Sequence, residues 1–227
     1  MAGILDRGMR RLLRDNGLSI AMFGLFFAFL AGQSFAGYLD YNATEVEHDR
    51  PPVGYASYLR SGDFVEAVFE NWESEFLQMG LYVLLTAWLV QRGSAESKDP
   101  DTGRPDEAGG DHRRRPDAPW PVRKGGPVLK LYENSLGIAL LSLFAFSFVL
   151  HAIGGAQAYS QEQVEHGGRP VSVLGYLMTS RFWFESFQNW QSEFLAIGAM
   201  VVLSIFLRQR GSPESKPVDS PHRETGA

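Results

Sequence analysis

The chain contains a seven-residue motif twice, as Asn71-Trp72-Glu73-Ser74-Glu75-Phe76-Leu77 and as Asn189-Trp190-Gln191-Ser192-Glu193-Phe194-Leu195. A second motif recurs at the same offset of 118 residues, as Gln91-Arg92-Gly93-Ser94-Ala95-Glu96-Ser97-Lys98 and as Gln209-Arg210-Gly211-Ser212-Pro213-Glu214-Ser215-Lys216. When residues 15–98 are aligned with 133–216 without gaps, 34 of 84 positions are identical. This degree of internal similarity indicates a duplicated unit.

The apolar residues are collected in long blocks, although the average composition of 44% hydrophobic and 21% charged residues is that of a soluble protein. Residues 16–39 contain no charged side chain, and residues 134–161 contain none apart from His151. A helix of about 20 apolar residues is long enough to cross a bilayer. The sequence therefore predicts an all-α integral membrane protein.

The duplication predicts four transmembrane helices from two tandem parallel repeats of a two-helix unit, at about 18–38, 63–91, 136–156 and 181–208. The second and fourth helices have short apolar parts, with 16 uncharged residues between Glu75 and Arg92 and 14 between Glu193 and Arg208. Each follows a stretch with helical periodicity, which favours one long helix per repeat. The alternative is that residues 63–73 form a separate helix lying flat on the membrane.

The predicted domain order follows from the repeats and from two polar segments. Membrane repeat 1 covers residues 1–98 and membrane repeat 2 covers 131–216. Residues 99–130 are rich in Gly, Pro and charged residues, a composition that predicts a disordered cytoplasmic linker. Residues 217–227 are predicted to form a disordered tail.

The distribution of Lys and Arg predicts the orientation of the spans. If both termini and the linker are cytoplasmic, 17 of the 21 basic residues lie on the cytoplasmic side, as the positive-inside rule requires. The basic N-terminus followed by an apolar run also resembles a signal peptide. The matching segment at 136–156 lies inside the chain, however, and this favours a retained first span.

The two doubled motifs are similar to those of an uncharacterised family of small bacterial four-helix membrane proteins, classed as a domain of unknown function. The resemblance covers residues 10–98 and 128–216. It implies a multi-pass protein of the bacterial plasma (inner) membrane with four helices, for which the distribution of Lys and Arg predicts cytoplasmic N and C termini. It implies no activity, cofactor or functional residue.

Several polar residues fall in or near the predicted spans, where ionisable groups are costly and commonly functional. Those on the second and fourth helices share a face with the repeated glutamates, whereas two others are repeat equivalents near the outer ends of the first and third helices. The candidate polar or ion site consists of Glu75, Glu193, Asn71, Asn189, Gln78, His151 and Gln33. If Glu75 and Glu193 face each other, they would hold a proton or a cation between them; if they face outward, they only mark the membrane surface.

Two classes of function remain open at this stage. One is an integral plasma-membrane protein with a structural, regulatory or partner-binding role. The other is a small channel or a proton- or cation-linked transporter that uses Glu75 and Glu193. An enzyme is not expected, because the sequence contains no hydrolase, metalloprotease, P-loop or dinucleotide-binding motif.

The expected partners are the lipid bilayer and a second copy of the chain, and neither a cofactor nor a metal ion is predicted. The absence of Cys excludes thiolate sites, and an acidic net charge of -5 argues against nucleic-acid binding. His48 and His166 each follow a glutamate, but this spacing is no recognised ligand motif. Small residues at every fourth position let membrane helices pack closely, within the chain or in a homo-oligomer; they are Gly24, Ala28, Gly32 and Ala36.

Overall fold

The computed structural model describes residues 2–99, 101 and 117–226, with side chains described from residue 11 onward. Within these ranges the chain forms eight α-helices and no β-strand, which confirms the all-α prediction. The chain divides into two compact units, Met1–Val65 and Glu66–Ala227. The helices are α1 Ala2–Glu47, α2 Tyr55–Tyr58, α3 Gly62–Trp88, α4 Trp120–Lys124, α5 Gly126–Glu133, α6 Ser135–Glu165, α7 Val173–Leu177 and α8 Ser180–Phe206.

The helix bounds recur at the offset of the sequence repeat. Helices α3 and α8 both have 27 residues, and their first and last residues are 118 positions apart. Helices α1 and α6 end at Glu47 and Glu165, which are also 118 positions apart. This correspondence is expected of a duplicated two-helix unit. Residues 63–73 continue directly into the following helix, so the prediction of one long helix is confirmed and the separate flat helix is wrong.

The first and third predicted spans are parts of longer helices. The helix predicted at 18–38 belongs to α1, and the one predicted at 136–156 continues in α6 to Glu165, because residues 157–165 favour helix. Two repeat-equivalent asparagines interrupt these helices. Asn16 has a non-helical φ of -129° inside α1, and Asn134 has a φ of -110° between α5 and α6. Both side chains donate a hydrogen bond to the carbonyl four residues earlier, which competes with regular helix.

Three helices of the described residues, not four, are long and apolar enough to cross a membrane. They comprise Arg11–Glu47, Ser135–Glu165 and Ser180–Phe206. Large apolar side chains such as Phe23, Phe146 and Leu203 lie exposed on them, as expected of surfaces that contact lipid. Helix α3 does not meet the same criterion, because its acidic residues and Gln78 interrupt the apolar sequence.

The predicted disordered linker and tail need correction where the structure describes them. Residues 100 and 102–116 of the predicted linker 99–130 lie outside the described residues, but residues 120–124 and 126–130 are helical in α4 and α5. A proline occupies one of the first positions of each helix, where its missing N–H is not needed. Residues 217–226 form turns that surround Lys216. Lys216 is 1% exposed. Its ammonium group donates to the carbonyls of Gly93, Pro221, His222 and Glu224.

The second doubled motif forms the same loop after α3 and after α8. The Gln91 and Gln209 backbone N–H groups each donate to the hydroxyl of the serine six residues later, at 2.9 Å. Gly93 and Gly211 have φ values of 89° and 81°, a backbone conformation that L side chains rarely adopt. The motif therefore encodes a compact loop that ends each 27-residue helix.

Each unit contains a buried tyrosine that packs against a helix glycine. In Met1–Val65, Tyr58 lies against Gly37 and forms an edge contact with Phe64 at a centroid distance of 5.4 Å. In Glu66–Ala227, Tyr176 lies against Gly155 and forms the same contact with Phe182, also at 5.4 Å. The corresponding residues are 118 positions apart. The glycines are required because a Cβ atom at Gly155 would lie 2.5 Å from the Tyr176 ring and hydroxyl.

We expect Gly155→Ala to destabilise the protein by about 1–3 kcal/mol, since an added methyl group in a filled core forces its neighbours to shift. The measurement is thermal unfolding of the purified protein in detergent. Gly198→Ala in α8 is the matched control, because a Cβ there meets no atom within 4 Å and alanine favours helix by up to ~1 kcal/mol. Equal unfolding temperatures for the two variants would show that Tyr176 moves aside freely.

Candidate functional site

A group of polar side chains lies inside Glu66–Ala227, between four helices. Helix α3 contributes three glutamates with helical spacing, and α8 contributes an arginine, a glutamate and an asparagine four residues apart. Helix α6 contributes a histidine and α7 a tyrosine. We call this group the acidic cluster: Glu66, Glu70, Glu73, His151, Tyr176, Arg181, Glu185 and Asn189.

The imidazole of His151 joins α6 to α3. Its Nδ1 lies 2.8 Å from Glu73 Oε2, and both side chains are 0% exposed. The other Glu73 oxygen accepts a hydrogen bond from Trp190 Nε1 at 3.0 Å. Phe182 stacks on the imidazole with a centroid distance of 4.9 Å. The histidine and the carboxylate are therefore held on several sides.

Tyr176 connects a glutamate of α3 with one of α8. Its hydroxyl oxygen lies 2.9 Å from Glu66 Oε1 and 2.5 Å from Glu185 Oε2. A phenol has one proton to donate, so it satisfies only one of two ionised carboxylates at a time. Burial, followed by the hydrogen bond to Glu185, raises the pKa of the Tyr176 hydroxyl and keeps it protonated as a donor.

The remaining contacts fix the other carboxylates of the cluster. Arg181 Nε forms an ion pair with Glu185 Oε1, one helical turn along α8. Asn189 Nδ2 donates to Glu70 Oε1 at 2.6 Å. These contacts leave His151 Nε2 without a hydrogen-bond partner among the described residues, 3.8 Å from Glu185 Oε2.

The acidic cluster contains more acidic than basic groups. It has four carboxyl groups, one arginine and one histidine, so that with every one of them charged it would carry two more negative than positive charges. Glu73 is fully buried, and Glu66, Glu70 and Glu185 are partly buried. Because buried charge is unfavourable unless it is paired, the cluster is chemically suited to hold protons or a cation.

The structure places two of the seven candidate residues in the acidic cluster and the other five outside it. His151 and Asn189 belong to the acidic cluster, whereas Glu75 is exposed and Glu193 partly exposed. These two glutamates are close enough for their charges to repel each other. The other three lie elsewhere: Asn71 is exposed and donates to the Ala67 carbonyl, Gln78 is buried, and Gln33 is exposed on α1.

Sequence reasoning concentrated on residues shared by the two repeats and therefore missed those that differ between them: Glu66, Glu70, Glu73, Arg181 and Glu185. It also missed Tyr176, although this residue is shared with Tyr58. The informative pattern is the difference between the repeats. The α3 glutamates at positions 66, 70 and 73 correspond to Phe184, Gln188 and Gln191 in α8. An acidic face present in only one of two similar helices indicates a role beyond the shared scaffold.

A second carboxyl pair lies in the two motif loops. Glu96 and its repeat equivalent Glu214 lie close enough for their side chains to interact. Tyr82 also donates to Glu96 at 3.2 Å. Burial, followed by the contact with Glu214, raises the pKa of Glu96.

The comparison with protein families confirms one part of the resemblance in the doubled motifs, that the family is a domain of unknown function. The model of a family described as a domain of unknown function (DUF6766) matches residues 9–227. Neither a curated protein nor a solved structure matches the chain.

We expect the Glu96–Glu214 pair to make the protein less stable as the pH rises. The folded-state pKa of Glu96 is above that of an unfolded glutamate, about 4.3. The stability contributed by protonated Glu96 is therefore fully present below that pH and is lost as pH rises through the folded-state pKa. Unfolding temperatures of the purified protein measured across this range should fall less in Glu96→Gln than in the unmodified chain. Glu133→Gln, at an exposed position, is the control, and a pH profile unchanged by Glu96→Gln would contradict the assignment.

Proposed function

We propose that this chain, which belongs to that family of unknown function, is an integral membrane protein that binds a cation in its acidic cluster. The observation that carries the proposal is the convergence of four glutamates and one arginine around the buried Glu73–His151 pair. A bound cation would offset the negative charge of the ionised glutamates. Cation-linked function is one of the two classes predicted from the sequence, and the proposed site differs from the predicted pair Glu75 and Glu193.

We also propose that α3 is a fourth span, which gives two parallel repeats of two spans in a bacterial plasma membrane with both termini cytoplasmic. The proposal is supported by the equal lengths of α3 and α8. It is supported as well by the positions of the α3 glutamates, which contact His151, Tyr176 and Asn189 inside the protein. The α3 glutamates lower the mean hydropathy of the helix. Carboxylates that pair with protein groups need not face lipid, however, so a helix that contains them can still cross the membrane.

The proposed role of the protein is binding and not catalysis, and the lack of a catalytic motif in the sequence supports this role. A structural or regulatory role through partners is compatible with a bound cation. The bilayer is the proposed environment, and the exposed stripe of Gly24, Ala28, Gly32 and Ala36 is the proposed face for a second copy of the chain.

The proposed topology predicts opposite accessibility for two exposed positions. In intact cells an impermeant thiol reagent should label Ser57→Cys and spare Gln91→Cys, and both should react after the membrane is opened. The native chain contains no Cys, so the unmodified protein is the background control. Labelling of both cysteines in intact cells would contradict α3 as a span, and labelling at position 91 alone would contradict a cytoplasmic linker.

The cation proposal predicts that a cation stabilises the folded protein by mass action, by about 2.7 kcal/mol at 100 times its Kd. Unfolding temperatures should be measured in detergent at constant ionic strength with Na⁺, K⁺, Mg²⁺, Ca²⁺, Mn²⁺ and Zn²⁺. At least one cation should raise the unfolding temperature, and Glu185→Gln should abolish the rise.

Glu193→Gln, two turns further along the same helix, is the matched control and should keep the response. The reverse result, loss in Glu193→Gln alone, would place the cation at the pair predicted from sequence. No response to any cation would contradict cation binding altogether.

A further inference from the structure

Three side chains of the acidic cluster place ligand atoms around one point. Glu66 from α3, His151 from α6 and Glu185 from α8 each offer one such atom, and these atoms lie within 4.8 Å of one another. Because the three residues come from three helices, their convergence is a property of the fold. It has no counterpart as a short motif in the sequence.

The histidine has the hydrogen-bonding pattern of a metal ligand. An ionised carboxylate can only accept, so the contact of 2.8 Å between Nδ1 and Glu73 assigns the Nδ1 proton to His151. In the neutral imidazole the lone pair is then on Nε2. This nitrogen is buried, has no hydrogen-bond partner among the described residues, and lies on the side of Glu185.

The distances around Nε2 suit a shared ion better than a direct hydrogen bond. Nε2 and Glu185 Oε2 are 3.8 Å apart, which is too long for a hydrogen bond. Two ligand atoms that are each about 2.1 Å from one metal ion can be separated by up to about 4.2 Å. Small side-chain rotations that draw the three atoms toward a common centre would therefore complete a site.

Two neighbouring residues hold the ligands in place. Glu73 accepts from the Nδ1 side of the imidazole and is itself fixed by Trp190, an arrangement found behind many metal-binding histidines. The Tyr176 hydroxyl contacts both Glu66 and Glu185, and its ring is confined by Gly155 and Phe182.

We propose that His151 Nε2, Glu66 and Glu185 bind one divalent first-row transition-metal ion of the Zn²⁺, Mn²⁺ or Fe²⁺ type, with Glu73 and Tyr176 as positioning residues. This inference rests on the proposed cation-binding function and specifies the ion. An imidazole nitrogen with two carboxylate oxygens suits these metals, whereas Mg²⁺ and Ca²⁺ prefer oxygen ligands alone. The two positive charges also offset negative charge on the ionised carboxylates of the cluster.

The test is metal binding by the untagged full-length protein in detergent after treatment with a chelator. Calorimetric titration with Zn²⁺ should give one ion per chain, and Co²⁺ should give a visible absorption spectrum with nitrogen and oxygen ligands. His151→Gln should weaken Zn²⁺ binding at least 100-fold. Glu73→Gln, which keeps all three ligands, should weaken it about 10- to 100-fold.

His166→Gln is the matched control for His151→Gln. The His166 ring lies in an exposed position, 2.8 Å from the carbonyl of Glu162 in its own helix, so its replacement should leave Zn²⁺ binding unchanged. Equal Zn²⁺ affinity in His151→Gln and the unmodified protein would overturn the inference. If His151→Gln does not fold, X-ray absorption of the Zn²⁺-loaded native protein decides, and a spectrum without an imidazole ligand overturns the inference.

The results separate this inference from the proposed function. Stabilisation by Na⁺, K⁺ or Ca²⁺ that depends on Glu185, without stoichiometric Zn²⁺ or Co²⁺ binding, would overturn the transition-metal site and leave cation binding intact. Absence of any cation response would overturn both. Zn²⁺ binding that requires His151 but not Glu66 or Glu185 would contradict the ligand set.

Discussion

Glu73 and His151 form a hydrogen bond with each other, and both side chains are completely buried. The residues around them satisfy the polar groups that this burial removes from solvent. Neither group is tolerated in an apolar interior without partners. Trp190 therefore donates to the second oxygen of Glu73, and the Phe182 ring covers the imidazole. Beside His151, Ala152 and Gly155 keep the α6 surface small, so that Tyr176 and Phe182 can approach.

Residues that are shared by the two repeats and residues that differ between them have different roles in the structure. Residues shared by both, such as the Tyr176–Gly155 contact and its counterpart Tyr58–Gly37, build the scaffold of each unit. Six of the eight residues of the acidic cluster differ between the repeats, and Tyr176 and Asn189 are the two that are shared. Gln33 occupies the position equivalent to His151, and Phe184 the position equivalent to Glu66. A duplicated unit of this kind can keep its packing while one set of equivalent positions changes chemistry.

The helical architecture could be predicted because its determinants are local. The apolar blocks and the repeat predict four long helical elements, two within a few residues of the bounds of α3 and α8 and two inside α1 and α6. The helices at 120–133 were missed because their prolines and polar neighbours have the composition of a linker, although proline is well tolerated in a first helical turn. Hydropathy alone also cannot tell whether the carboxylates of α3 face lipid or a partner such as His151.

The site could be predicted only in part, because it depends on which helix faces meet. His151 and Asn189 were identified as unusual polar residues in apolar helices, and both belong to the cluster. Glu75 and Glu193 are prominent in the sequence because they recur, and the structure places both outside the acidic cluster, with Glu75 exposed and Glu193 partly exposed. No local pattern distinguishes Glu66, Glu73 and Glu185 from other glutamates in the sequence. They lie close to His151 only because α3, α6 and α8 pack against one another.

The buried ammonium of Lys216 has a consequence for handling the protein. Three of its four carbonyl acceptors belong to Pro221, His222 and Glu224. The backbone carbonyls of this short segment therefore surround the ammonium group. Proteolysis between Val218 and Pro221 would separate the charge from these acceptors and expose the Gly93 loop to which it is also bonded. The integrity of residues 217–224 is therefore a useful criterion of intact, folded material, readable by mass spectrometry before any binding experiment.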